Sequence, residues 1–76
     1  MQEVISAYLV ALNATTITVR LRRGEVKVYE RKGLHISQEW VLKNMGQPVI
    51  CLIEDGAVRK MKRLGQRSWP GEADVT

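Results

Sequence analysis

Phenylalanine is absent from this 76-residue chain, and cysteine and histidine occur once each. With Cys51 as the single cysteine, no internal disulfide can form. One cysteine and one histidine, His35, cannot assemble the four-ligand set of a structural zinc site. Neither a metal nor a cofactor is therefore expected. No stretch approaches the ~20 apolar residues of a membrane-spanning helix. The start, Met1-Gln2-Glu3, lacks the positive region of a secretory signal, and the apolar stretch after it is broken by Ser6 and Asn13. A cytoplasmic protein is expected, so the glycosylation-like triplet Asn13-Ala14-Thr15 carries no weight.

Catalytic groupings are also missing. A nucleophile needs a neighbouring base and a third group to orient that base. His35 has no such companions in the sequence, and the adjacent carboxylates Glu54 and Asp55 are better explained by a turn. The expectation is a protein that is not an enzyme. Small size adds a further bound. A chain this short buries only about 60% of its unfolded surface. With disulfide and metal excluded, oligomerisation is the remaining common source of extra stability.

What the chain does have is positive charge and strand periodicity. Twelve Lys and Arg against eight Asp and Glu give a formal charge of +4, which favours an anionic partner. Strand character runs over Glu3–Leu12, Thr15–Arg22 and Glu25–Arg31, and again over Pro48–Ile53 and Ala57–Leu64. In the second stretch Ile17, Val19 and Leu21 alternate with Thr16, Thr18, Arg20 and Arg22, the period-two pattern of a half-buried strand. A tight Arg23-Gly24 turn would then carry Val26 and Val28 inward, and Glu25, Lys27, Tyr29 and Arg31 outward. The first and fourth stretches are apolar on both faces. Either they are fully buried, the first by curling round a barrel corner, or one face meets another subunit.

A helix is expected over Ser37–Met45. Ser37 suits the N-cap, Ile36 and Val41 form a hydrophobic staple, and Gly46 suits a left-handed C-cap before Pro48. Trp40 is expected in the core beside it. Glu54-Asp55-Gly56 is a hairpin turn signal. Val58 and Met61 are three apart, so both reach the core only if a bulge lies near Arg59-Lys60. Cys51 reads as a small buried hydrophobe.

The β-β-β-α-β-β order resembles that of an OB-fold, a five-stranded Greek-key barrel. It predicts a mainly β domain over residues 1–64, with a flexible tail over 65–76. An SH3-like barrel, or an open sheet completed by dimerisation, would accommodate the same pattern.

Two basic groups are the candidate sites. The first is the outer face with Thr18, Arg20, Arg22, Lys27, Tyr29 and Arg31. Single-stranded nucleic acid needs cations along its phosphates and a flat platform for its bases, and OB-folds bind oligonucleotides on the strand 2–3 face. The competing reading is an ordinary solvated strand face. The second group is Arg59, Lys60, Lys62 and Arg63, extended by Arg67, where cations would either grip phosphates or protect an edge strand. Trp69 in the tail either packs back or anchors a partner. Nucleic acid, preferably single-stranded, is thus the expected partner. A protein-interaction module, forming a homodimer or joining a larger complex, is the alternative, motivated by the two apolar-faced strands.

Overall fold

The computed structural model describes residues 2–34, 36–67 and 69. His35 and most of the expected tail lie outside them. Five strands and one helix follow in the order β1 (Gln2–Leu12), β2 (Thr16–Leu21), β3 (Val26–Glu30), α1 (Gln38–Lys43), β4 (Pro48–Glu54) and β5 (Ala57–Arg63). The fold is mainly β: one five-stranded sheet whose hydrogen bonds close into a ring, in the order β1-β2-β3-β5-β4. Among the described residues no helix is long and apolar enough to cross a membrane.

β1 makes the ring possible. Its first half pairs with β4, from Gln2 opposite Glu54 to Tyr8 opposite Pro48. Its second half pairs with β2, from Ala7 opposite Leu21 to Leu12 opposite Ile17. A register shift between Leu9 and Ala11 marks a bulge at Val10, where the strand bends and twists more strongly. Ala7 and Leu9 are buried, while Val4, Tyr8 and Val10 are exposed. The apolar residues on its second face therefore remain at the surface.

The core gathers Leu9, Ile17, Val19, Val49, Cys51, Val58 and Met61 from the strands, with Val41 from the helix. β4 alternates rather than being buried throughout. Val49, Cys51 and Ile53 point inward, and Ile50 and Leu52 are half-buried on the outside. The bulge expected on β5 is present: Leu52 pairs with Lys60 and Ile53 with Val58, so the strand steps over Arg59. Val58 and Met61 accordingly both reach the core. At the β4–β5 turn, Asp55 and Gly56 both have positive φ, 53° and 79°, as a two-residue hairpin of this hand requires.

The helix is shorter than expected. Ser37 caps its start, the Oγ accepting from the Trp40 amide at 3.2 Å. Its C-cap is Asn44, not Gly46; the Asn44 side chain also donates to the Trp40 carbonyl at 2.8 Å. Gly46 instead uses its amide to reach the Leu9 carbonyl at 2.8 Å, and Leu9 returns a bond to the Gln47 carbonyl at 3.2 Å. The helix exit is thereby tied to the middle of β1. Val41 is buried, and Trp40 and Met45 pack partly buried against the core.

β3 has the opposite phase from the one its sequence pattern predicts. Arg20 stands opposite Val26, Thr18 opposite Val28, and Ile17 opposite Tyr29. Directly opposed residues share a face. Val26 and Val28 therefore lie outside, 57% and 61% exposed, and Lys27 and Tyr29 lie on the inner side. The cause is the length of the turn. The Gly24 amide donates to the Leu21 carbonyl at 2.8 Å, and the Leu21 amide donates to the Glu25 carbonyl at 2.7 Å. Arg22, Arg23 and Gly24 thus form a three-residue loop with Gly24 at φ 90°. A two-residue turn at Arg23-Gly24 would have given the opposite phase, and one residue of slip turns every side chain over.

Candidate nucleic-acid interface

The cations singled out in the sequence separate into three environments. Arg20 points outward from β2, and its guanidinium carbon stands 5.7 Å from the centre of the Tyr8 ring. The contact forms because Tyr8 and Arg20 are cross-strand partners on a face left uncovered. Arg22 is exposed in the β2–β3 turn.

A second set is placed elsewhere than expected. Lys27 and Tyr29 share the inner side of β3, where Tyr29 packs against the core. Burial pushes the Tyr29 hydroxyl above the ordinary phenol range, with Lys27 pulling the other way. Lys27 pairs with Glu25 at 3.7 Å. Arg31 leaves the end of β3 and donates from Nη1 to the Asn13 carbonyl at 2.7 Å, fastening the β1–β2 loop. Tyr29 therefore offers no open aromatic platform beside Arg20.

The third set lies on β5. Lys60 and Lys62 stand opposite Leu52 and Ile50, on the outer side of the ring. The Lys62 ammonium lies 4.7 Å from the centre of the Trp69 ring and 3.4 Å from the Arg67 carbonyl. Trp69 thus packs back on β5. Arg59, at the bulge, is drawn into the fold. Its Nη1 donates to the Lys32 carbonyl at 3.0 Å. Its buried Nε, without a hydrogen bond, faces the Glu54 carboxylate at 3.4 Å. Arg63 sits at the strand end, beside Trp40, Leu64 and Gln66.

An open groove of about 520 Å³ lies beside the β1–β2 loop, lined by Ala14, Thr15, Thr16, Glu30, Arg31 and Lys32. Thr16, Thr18 and Arg20 are successive outward residues of β2. A line from the groove along β2 therefore ends at the Arg20–Tyr8 pair. With about 3.4 Å per residue, Thr16 and Arg20 are about 14 Å apart.

Tyr8 and Lys32 are the members of this line that sequence reasoning missed. Lys32 follows β3 and carried no pattern. Tyr8 belongs to an all-apolar stretch, and the bulge at Val10 hides its pairing with Arg20 from any count of residues across the β1–β2 turn. Comparison with protein-family models, with curated proteins and with solved structures gives no match.

Proposed function

We propose that the protein binds single-stranded nucleic acid with low sequence specificity, along the outer face of β2 and its flanks. The observation that carries this reading is the Arg20–Tyr8 pair, in line with the groove holding Arg31 and Lys32. A ring such as Tyr8 is a stacking platform that accepts any base, and cations beside it follow the phosphates. Lys60 and Lys62, on the same outer side of the sheet, add to the positive field. The ring order β1-β2-β3-β5-β4 supports taking the sheet as an OB-like barrel. In that fold oligonucleotides lie on the strand 2–3 face and on the loop joining strands 1 and 2.

The test is a fluorescence-anisotropy titration with labelled single-stranded DNA, single-stranded RNA and duplex DNA, at low and at near-physiological salt. The expected result is binding that prefers a single strand and weakens steeply with salt. Absence of binding to all three at low salt overturns the proposal.

One observation favours the alternative, a protein-interaction or assembly module. Val4, Val10, Val26 and Val28 are 46–62% exposed on the outer face, and Val26 and Val28 stand directly opposite Arg20 and Thr18, apolar surface of the kind a protein partner covers.

A further inference from the structure

The third strand, β3, is exposed on both faces and has one open edge. Val26, Lys27, Val28 and Glu30 are all exposed, and only Tyr29 is half-buried. One edge pairs with β2. On the other, among the described residues, β3 is bridged to β5 only through Glu30 and Ala57, in parallel, and the Glu30 amide donates to the Gly56 carbonyl at 3.1 Å. Backbone groups alternate in direction along a strand. Those of Val28 and Val26 therefore point the same way as those of Glu30, away from β2. Because the bridge is parallel, β5 runs on beside the residues after Glu30, where Arg59 reaches the Lys32 carbonyl. The stretch from Val26 to Tyr29 projects past the β4–β5 turn. A valine-rich, proline-free edge of this kind is a template for another strand.

We infer that this edge pairs with β3 of a second copy of the chain, antiparallel, about a two-fold axis passing beside Val26. Symmetry and charge select the register. Opposed residues of an antiparallel pair share a face, so the axis stands perpendicular to the sheet and passes beside a single residue matched with itself. Centring on Lys27 sets Lys27 against Lys27. Centring on Tyr29 sets Lys27 against Arg31. Centring on Val28 brings the partner's Val26 beside Glu30, where Gly56 already sits. Centring on Val26 meets none of these obstacles. It sets Val26 against Val26, with both sets of edge groups facing each other. It sets Glu25 of each copy against Lys27 of the other, joining the one Lys27–Glu25 ion pair that each chain already holds at 3.7 Å. Beyond Glu25 the partner's chain turns back through Arg22, Arg23 and Gly24 toward its own β2, so no residue of it is brought beside Glu30. The interface is short, which places it among the weaker associations.

Sedimentation velocity from low to high micromolar concentration reads the association directly, as a shift toward twice the 8.6 kDa of one chain. Glu25→Lys is expected to abolish the shift, and the swap Glu25→Lys with Lys27→Glu to restore it. Both positions are exposed, so folding is preserved in each variant. Oxidative cross-linking then tests the register. Two Val26→Cys chains would bring their Cα atoms to about 5.5 Å, within disulfide reach. Val28→Cys would leave its partner about 14 Å away along the strand. Cross-linking of Val26→Cys and not of Val28→Cys is the expected result, the parent being silent because Cys51 is buried. A monomer at every concentration, equal cross-linking at both positions, or failure of the swap to restore association overturns the proposal.

Discussion

Gly33 lies against the guanidinium of Arg59, so closely that a Cβ at Gly33 would overlap Nη1. That nitrogen is the one donating to the Lys32 carbonyl, and Gly33 itself sits at φ 83°. The β5 bulge and the loop leading to α1 are thus held by one contact with no room for a side chain. Arg59→Ala is expected to cost about 1.5–3 kcal/mol, the worth of a hydrogen bond with a charged donor. Gly33→Ala should cost about 1–2 kcal/mol for left-handed backbone, plus the displaced arginine. In the double variant the displacement no longer counts, so the two losses should sum to more than the measured total. Urea unfolding of the four proteins checks this, and strict additivity would show that the contact is not shared.

Tyr8 on the outer face of the sheet and Tyr29 on its inner side should respond differently to substitution. Tyr8→Ala should weaken single-stranded DNA binding by about 1–3 kcal/mol, the value of one stacked base. Tyr29→Phe, on the inner side, should leave affinity unchanged. Lys32→Ala should lower the slope of log affinity against log salt by about one, as a lost phosphate contact does. Anisotropy titrations of the three variants decide. An equal loss from Tyr8→Ala and Tyr29→Phe would refute this placement.

Burial pushes the Cys51 thiol from 9.0 up to about 12. The unfolded chain releases this proton near 9, whereas the folded one keeps it. Stability from this group is therefore complete below about pH 9 and declines as pH rises toward about 12, by up to about 1.4 kcal/mol per pH unit. Cys51→Ala should flatten that part of the alkaline stability profile relative to the parent. The native thiol should also react slowly with Ellman's reagent at pH 8 and quickly once urea unfolds the chain.

Ser37→Ala removes the acceptor for the Trp40 amide and should cost about 1 kcal/mol. A helix of only six residues has no stability of its own, so the loss should appear in global unfolding. Chemical denaturation followed by tryptophan fluorescence would show a lower midpoint with an unchanged slope.

Much of this architecture is local and therefore legible in the chain. The alternation of Ile17 and Val19 with Thr18 and Arg20 marks β2 and its inner face. Ser37 marks the start of the helix. Asp55-Gly56 marks the last hairpin, and the spacing of Val58 and Met61 marks a bulge in β5. Each depends on neighbours a few residues apart, where backbone geometry and side-chain period act directly.

The phase of β3 was decided only in three dimensions. Val26 and Val28 alternate with Lys27 and Tyr29, and the alternation is equally regular whichever set faces the core. A three-residue turn, rather than a two-residue one, set the phase, and Tyr29 packs against the core in place of the valines. The bulge at Val10 likewise decided that Tyr8 meets Arg20. A period-two pattern fixes which residues share a face. It does not fix which face is inside, because that depends on one residue of register between strands, and register is set by turns, bulges and the packing of the closed ring.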